Sequence, residues 1–263
     1  MKNIFIVSII FILNFQYLKS QSNNLNIKIN KSEFNKKNIL NSLYKGNYNT
    51  INMNISWKPY IGECALLSDD GFCYTYLDSI YKYKSVNKNY ALVVFNTLQY
   101  LEGVLQDCAG CQPSQLGMAL FEEDLEMWTL KSFNRSIDNI GISGFLPKCS
   151  IIQLGEASYG ALFNIEEHQV SDKNNIGYLF SIDSVTFSKE IISFIQNKVI
   201  DYDEQPIIQE GSIEVIKNNS DHYDFNIIYN TIKYKEDEFK ILSYKVIRYK
   251  YFDEGLKWFE FNF

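Results

Sequence analysis

Five cysteines, two histidines and two acidic runs are the residues of this chain whose types and spacing bear on chemistry. Cys108 and Cys111 enclose Ala109-Gly110, a spacing that serves a redox dithiol or a vicinal structural bridge, or leaves one partner each for Cys149 and another thiol. A redox thiol needs its pKa depressed by a helix N-terminus or a nearby cation. The neighbouring charges here are Glu102 and Asp107, and no Lys or Arg occurs between Asn89 and Trp128, so the local sequence raises a thiol pKa. Cys64 and Cys73 flank Leu67-Ser68-Asp69-Asp70-Gly71, whose Asp-Gly pair suits a tight turn and a bridge across a hairpin. Cys149 is the fifth candidate for a disulfide, and an odd count leaves one thiol over. A zinc site is disfavoured, because there is no second Cys-x-x-Cys and neither His168 nor His222 has ligand spacing to the first.

Other catalytic constellations are scarce. His168 lies among Glu166, Glu167 and Gln169, and His222 follows Asp221 in a polar turn, settings of exposed loop residues more than of bases. Ser143 in Gly141-Ile142-Ser143-Gly144 lacks the Gly-x-Ser-x-Gly pattern of a nucleophile elbow. The runs 122–126 (Glu-Glu-Asp-Leu-Glu) and 201–204 (Asp-Tyr-Asp-Glu) carry oxygen ligands for a hard cation, without the alternation and Gly of an EF-hand loop. No cofactor and no metal is therefore assigned. Sequons stand at Asn54, Asn134 and Asn218.

The redox compartment decides how the cysteines are read, and the first twenty residues bear on it. Lys2 precedes the charge-free apolar run 4–13, which is too short for the roughly 20 apolar residues of a membrane span and fits the h-region of a signal peptide. Residues 1–20 are read as that signal, cut after Ser20 and before Gln21, with Leu18 larger than usual at the −3 position. No transmembrane segment then remains, and disulfides become the default for the cysteines. The net charge of −6 becomes two units more negative once Lys2 and Lys19 are removed, which disfavours nucleic acid and anionic lipid as partners.

With 19 Tyr, 19 Phe and only four Pro, the chain suits pleated, half-buried strands. Residues 21–60 are read as an N-terminal arm with a short helix over 33–43 capped by Ser32, 61–205 as a β-rich domain, and 206–263 as strands packing on the same domain. Strand-like runs occupy 74–77 and 90–95, the latter apolar enough for burial on both faces. Residues 116–121 and 127–130 read as a hairpin linked by Glu122-Glu123-Asp124, with a helix over 115–128 as the competing reading. A second hairpin pairs 150–154 with 159–163. Strands follow at 177–182, 212–216, 223–229, 239–250 and 256–261, and 187–200 fits either a strand pair or a helix capped by Ser188. The fold class expected is mainly β, built of antiparallel strands and hairpins as a sandwich or two-part sheet assembly.

Cys108-x-x-Cys111, the strand over 116–121, Trp128, Asn139-Ile140-Gly141, Gly144, Pro147, Leu154-Gly155, Tyr159-Gly160 and Gly177-Tyr178 follow one another across residues 105–185. In that order the chain resembles a group of uncharacterised secreted bacterial proteins without an established activity. The resemblance implies export and a β-rich domain, and no reaction. The chain departs from that group in having Ala109-Gly110 between the cysteines, where larger residues and often a His are expected, and in adding Cys149. A rival order, strand 90–95, Cys-x-x-Cys, then Gly144-Phe145-Leu146-Pro147, is similar to that of thioredoxin-type proteins. That resemblance implies a thiol–disulfide oxidoreductase using Cys108 and Cys111. Secondary structure over 115–127 separates the two readings, since a helix there favours redox chemistry.

The function expected is that of an exported, non-enzymatic β protein binding an unknown protein or small ligand outside the cytoplasm, with the oxidoreductase as the alternative. Export is tested by sequencing the N-terminus of protein recovered outside the cytoplasm. It should begin at Gln21, and an intact Met1 would overturn the assignment.

Overall fold

The computed structural model describes residues 26–60, 64, 66–101, 104–105, 114–140, 144–168, 173–182, 192–201, 207–218, 223–235, 238–252 and 257–262. The fold is mainly antiparallel β, with one short α-helix among the described residues. The first sheet contains β1 (Lys28–Asn30), β2 (Gly46–Asn49), β3 (Asn54–Trp57), β4 (Cys73–Ser85), β5 (Lys88–Leu98), β8 (Gln115–Asp124) and β9 (Met127–Asn139) in the order β1-β9-β8-β5-β4-β3-β2. The small hairpin of β6 (Tyr100–Leu101) and β7 (Val104–Leu105) stands apart from it. The second sheet is a meander in chain order: β10 (Cys149–Gln153), β11 (Tyr159–His168), β12 (Lys173–Ile182), β13 (Ile192–Asp201), β14 (Ile207–Ile216), β15 (Asp224–Lys235), β16 (Glu238–Phe252) and β17 (Lys257–Asn262).

The N-terminal segment is built into the first sheet. Its helix α1 (Lys36–Leu43) starts later than the residue pattern predicts, because Asn35 is the cap, its side chain accepting from the Asn38 N–H at 3.0 Å. The expected cap, Ser32, lies instead in a 3-10 turn (Lys31–Glu33) whose preceding Asn30 accepts from the Ser32 N–H. Ile39, Leu40 and Leu43 form the buried stripe of α1 and lie against one face of the sheet, with Trp57, Phe95 and Phe121. Tyr44 ends the helix in an extended conformation, and its ring meets those of Trp57, Phe95 and Phe133 at 5.3, 5.6 and 5.4 Å. The Arg135 guanidinium sits over the Tyr44, Trp57 and Phe133 rings and donates to the Leu43 carbonyl at 3.1 Å, so one cation ties helix end to sheet.

The other face of the first sheet packs on the second. Leu92, Val94, Met118 and Leu120 meet Ala161, Phe163, Phe180 and Ile182. Residues 91–98 of β5 and 115–121 of β8 are consequently buried throughout, the two-sided burial expected for the apolar run 90–95. The second sheet also rolls upon itself, since Phe225 and Ile227 of β15 pack on Leu154, Leu162 and Leu179. The Tyr223 N–H donates to the Leu154 carbonyl at 2.7 Å, fastening the start of β15 to the end of β10.

Both predicted hairpins are present. The competing helix over 115–128 is replaced by β8 and β9, which extend through Glu122, Glu123 and Asp124 and turn at Leu125-Glu126, Leu125 having φ of 46°. Of the stretch 187–200, residues 192–200 belong to the single strand β13 and not to a helix, while 187–191 lie outside the described residues. Gly117 sits where the β8–β9 register shifts, and a Cβ built there would lie 2.8 Å from the Arg135 carbonyl oxygen. Gly117→Ala should therefore lower stability by about 1–3 kcal/mol, measured by chemical denaturation, because the atom it strikes is backbone.

Candidate functional site

The predicted site residues separate on the structure. Cys64 and Cys73 are joined by a disulfide with Cα atoms 6.8 Å apart. The bridge does not cross a hairpin, since Cys64 precedes the turn outside any strand while Cys73 opens β4. Cys149 is a free, buried thiol at the start of β10, and burial followed by the Asp78 charge pushes it up to about 12. It is an inert core thiol and not a member of a bridge. Cys108 and Cys111 lie outside the described residues, as do Ser143, His222 and residues 202–204. His168 closes β11. In the acidic run, Glu122 pairs with Lys88 at 2.8 Å and Lys131 at 3.4 Å, and Glu123 pairs with Lys31 at 3.0 Å. Burial pulls the Glu122 carboxyl up, yet these lysines outweigh it and hold the group below its usual value. The sequon residue Asn54 is buried.

What the fold brings together beside the disulfide is a cluster of phenols. The turn after Cys64 is set by sequence. Gly71 has φ of 79°, its N–H donates to the Ser68 carbonyl at 2.9 Å, and the Asp70 carboxylate accepts from the Phe72 N–H at 3.0 Å. The turn docks on the chain leaving β5, where the Tyr100 N–H donates to Ser68 Oγ at 2.8 Å and Gln99 Nε2 donates to the Leu67 carbonyl at 2.8 Å. Tyr74 and Tyr76 alternate with the buried Cys73, Thr75 and Leu77 along β4. They share a face with Tyr100, whose ring lies 4.4 Å from that of Tyr74 and whose hydroxyl is 2.6 Å from that of Tyr76. Asn54 Nδ2 donates to the Tyr76 hydroxyl at 2.9 Å, and the Tyr74 hydroxyl donates to the Asp70 carboxylate.

The rings of Tyr74, Tyr76 and Tyr100 are all half-buried, with their hydroxyls engaged. The hydrogen bond to Asp70, then burial, pushes Tyr74 up to about 12, and burial, then the Tyr76 hydroxyl, pushes Tyr100 up as well. Tyr74 and Tyr100 are thus neutral phenols at physiological pH. They offer aromatic faces and hydrogen bonds to a ligand but no phenolate for attack or proton abstraction. Among the described residues no group of three His, Cys, Asp or Glu side chains is placed to hold a metal.

Sequence reasoning did not assemble this cluster. The dense tyrosines at 74 and 76 were visible as strand residues, while the approach of Tyr100 depends on the turn docking against β5's exit.

The raised Tyr74 value has a sign in stability. An unfolded phenol ionises near pH ~10, so the neutral form favoured in the fold contributes stability fully present below that pH. That contribution is lost as pH rises through about 12. Asp70→Asn should shift one late-titrating phenol toward the ordinary range in a tyrosinate absorbance titration, and an unchanged titration would overturn the assigned hydrogen bond. Comparison of the chain with protein-family models, with curated proteins and with solved structures found no match.

Proposed function

We propose that this is an exported, non-enzymatic binding protein that engages a partner or small ligand outside the cytoplasm through the face carrying Tyr74, Tyr76 and Tyr100. The reading rests on one observation: the phenols form a fixed, hydrogen-bonded set with half-open rings beside a disulfide, and Tyr74 and Tyr100 are held neutral. Fixed aromatic side chains bind at a low entropic cost, because few torsions remain to be frozen. The ligand chemistry that fits is a flat or apolar surface edged by hydrogen-bonding groups. The disulfide and the signal-like residues 1–20 support a location where thiols oxidise.

The oxidoreductase alternative receives less support. A dithiol of the thioredoxin type is followed by a helix whose N-terminus lowers the thiol pKa, and residues 115–124 here form β8.

The test is a screen of the purified protein against immobilised glycans and extended peptides, run beside Tyr74→Ala and Tyr100→Ala. A ligand retained by the wild type should lose about tenfold or more in affinity to each variant, equivalent to roughly 1.4 kcal/mol. Unchanged binding in both variants would move the site elsewhere. Reduction of insulin disulfides that Cys108→Ser abolishes would replace the reading with the redox one.

A further inference from the structure

The second sheet has an open edge inside its longest strand. β16 spans Glu238–Phe252, but β17 pairs only with residues 247–252, from Ile247↔Asn262 to Phe252↔Lys257. Among the described residues no strand pairs with residues 238–246 on the side away from β15. In an antiparallel strand every second residue directs both backbone polar groups to one side, so about four residues of this stretch present unpaired N–H and C=O groups outward. The side chains of 239–245 are exposed, Phe239 at 68%, Ile241 at 54% and Tyr244 at 63%.

The faces of this edge are segregated by a bulge. β15 pairs Ile232 with Ile241 and Thr231 with Ser243, so Leu242 is the extra residue. The register consequently sets Phe239, Ile241, Tyr244 and Val246 on one face and Lys240, Ser243 and Lys245 on the other, with Glu238 at the register position opposite Lys235. Without the bulge, alternation would put Tyr244 and Val246 on the charged side.

We propose that this edge pairs antiparallel with the same edge of a second copy, about a two-fold axis normal to the sheet at Ile241, joining two second sheets into one. The register is picked out by charge. With Ile241 opposite Ile241 of the second copy and the bulge counted on both strands, Phe239 meets Tyr244 and Lys240 meets Ser243, and the register position of Glu238 falls opposite Lys245, each pair occurring twice. Sliding by two residues in one direction sets Lys240 opposite itself. Sliding in the other sets Lys240 opposite Lys245. Like charges directly opposite destabilise a strand pair, while aromatic and opposite-charge pairs stabilise it, so of these three registers only the first combines both gains with no lysine pair. Lysines on an edge ordinarily guard against pairing; here Glu238 answers one and Ser243 the other. This inference is independent of the tyrosine face on the first sheet.

The experiment is sedimentation of the purified protein over a concentration series, with Glu238→Lys, Lys245→Glu and the double exchange. Lys245 is exposed and Glu238 opens the edge strand, and circular dichroism confirms that each variant keeps the strand signal. The wild type should dimerise, each single exchange should weaken the dimer about tenfold or more by opposing like charges, and the double exchange should restore it. Amides of 239–246 should gain hydrogen-exchange protection with concentration in the wild type. A wild type that stays monomeric, a dimer indifferent to the single exchanges, a double exchange that fails to rescue, or unprotected amides in the dimer would each overturn the proposal.

Discussion

Burying a strand on both faces is the constraint on which the rest of this structure depends. Residues 91–98 of β5 and 115–121 of β8 have no solvent-facing side. Their backbone groups must then be satisfied within the sheet, and each face needs its own cover. The lateral need is met by β4 on one side and β9 on the other. One face is covered by α1 with Phe34 and Tyr44, the other by β10, β11 and β12. A fully buried large apolar side chain contributes about 1.5–3 kcal/mol, so neither cover is dispensable. This is why the N-terminal segment is integral to the sheet although its own strands are only three or four residues long.

The two covers are fastened differently. On the helix side the fastening is a cation, with Arg135 of β9 stacked on three rings and bonded to the end of α1. On the sheet side it is tyrosine. The Tyr81 hydroxyl accepts from the Cys149 N–H at 3.3 Å, the Tyr159 hydroxyl donates to the Lys84 carbonyl at 3.0 Å, and the Tyr83 ring stacks on Tyr90 and meets the Tyr159 ring at a tilt. Phenols suit a seam, since each covers apolar surface with its ring and satisfies a backbone group with its hydroxyl.

How much of this was legible in the sequence follows from what period-two reading detects. It found the apolar run 90–95, the hairpins at 116–130 and 150–163, and most strands of the second sheet, β13 being left between strand and helix, because there apolar and β-branched residues repeat at strand spacing. It read only 74–77 of β4, which continues to Ser85. Past Leu77 the pattern breaks, and the turn at Val86-Asn87 lacks the Asn-Gly signal, placing a β-branched residue at φ of 39°. The capping exchange of Asn35 for Ser32 was illegible because several Ser and Asn residues compete locally, and only packing selects which begins the helix. The candidate site was legible as a disulfide near an Asp-Gly turn and illegible as a phenol cluster, since Tyr100 reaches Tyr76 across a separation of 24 residues.

The break in β4 has the same physical origin as the one in β16. β4 pairs Leu77 with Phe95 and Ser79 with Val94, leaving Asp78 as the extra residue. Before it the even-numbered Tyr74 and Tyr76 occupy one face; after it the odd-numbered Tyr81 and Tyr83 occupy that same face, while Ile80 and Lys82 take the side of Leu77, where Ile80 packs on the helix-side core and Lys82 lies over Trp128. One inserted residue thus keeps four tyrosines on a single side of a strand whose sequence parity changes midway. Half of that row, Tyr81 and Tyr83, is consumed in the seam with the second sheet. The other half, Tyr74 and Tyr76, meets Tyr100 instead, so the half-buried phenol cluster continues the tyrosine row of the seam along the same side of β4. Its rings are half-buried and their hydroxyls are bonded within the chain, so what this end of β4 turns toward solvent is aromatic surface held in a fixed orientation.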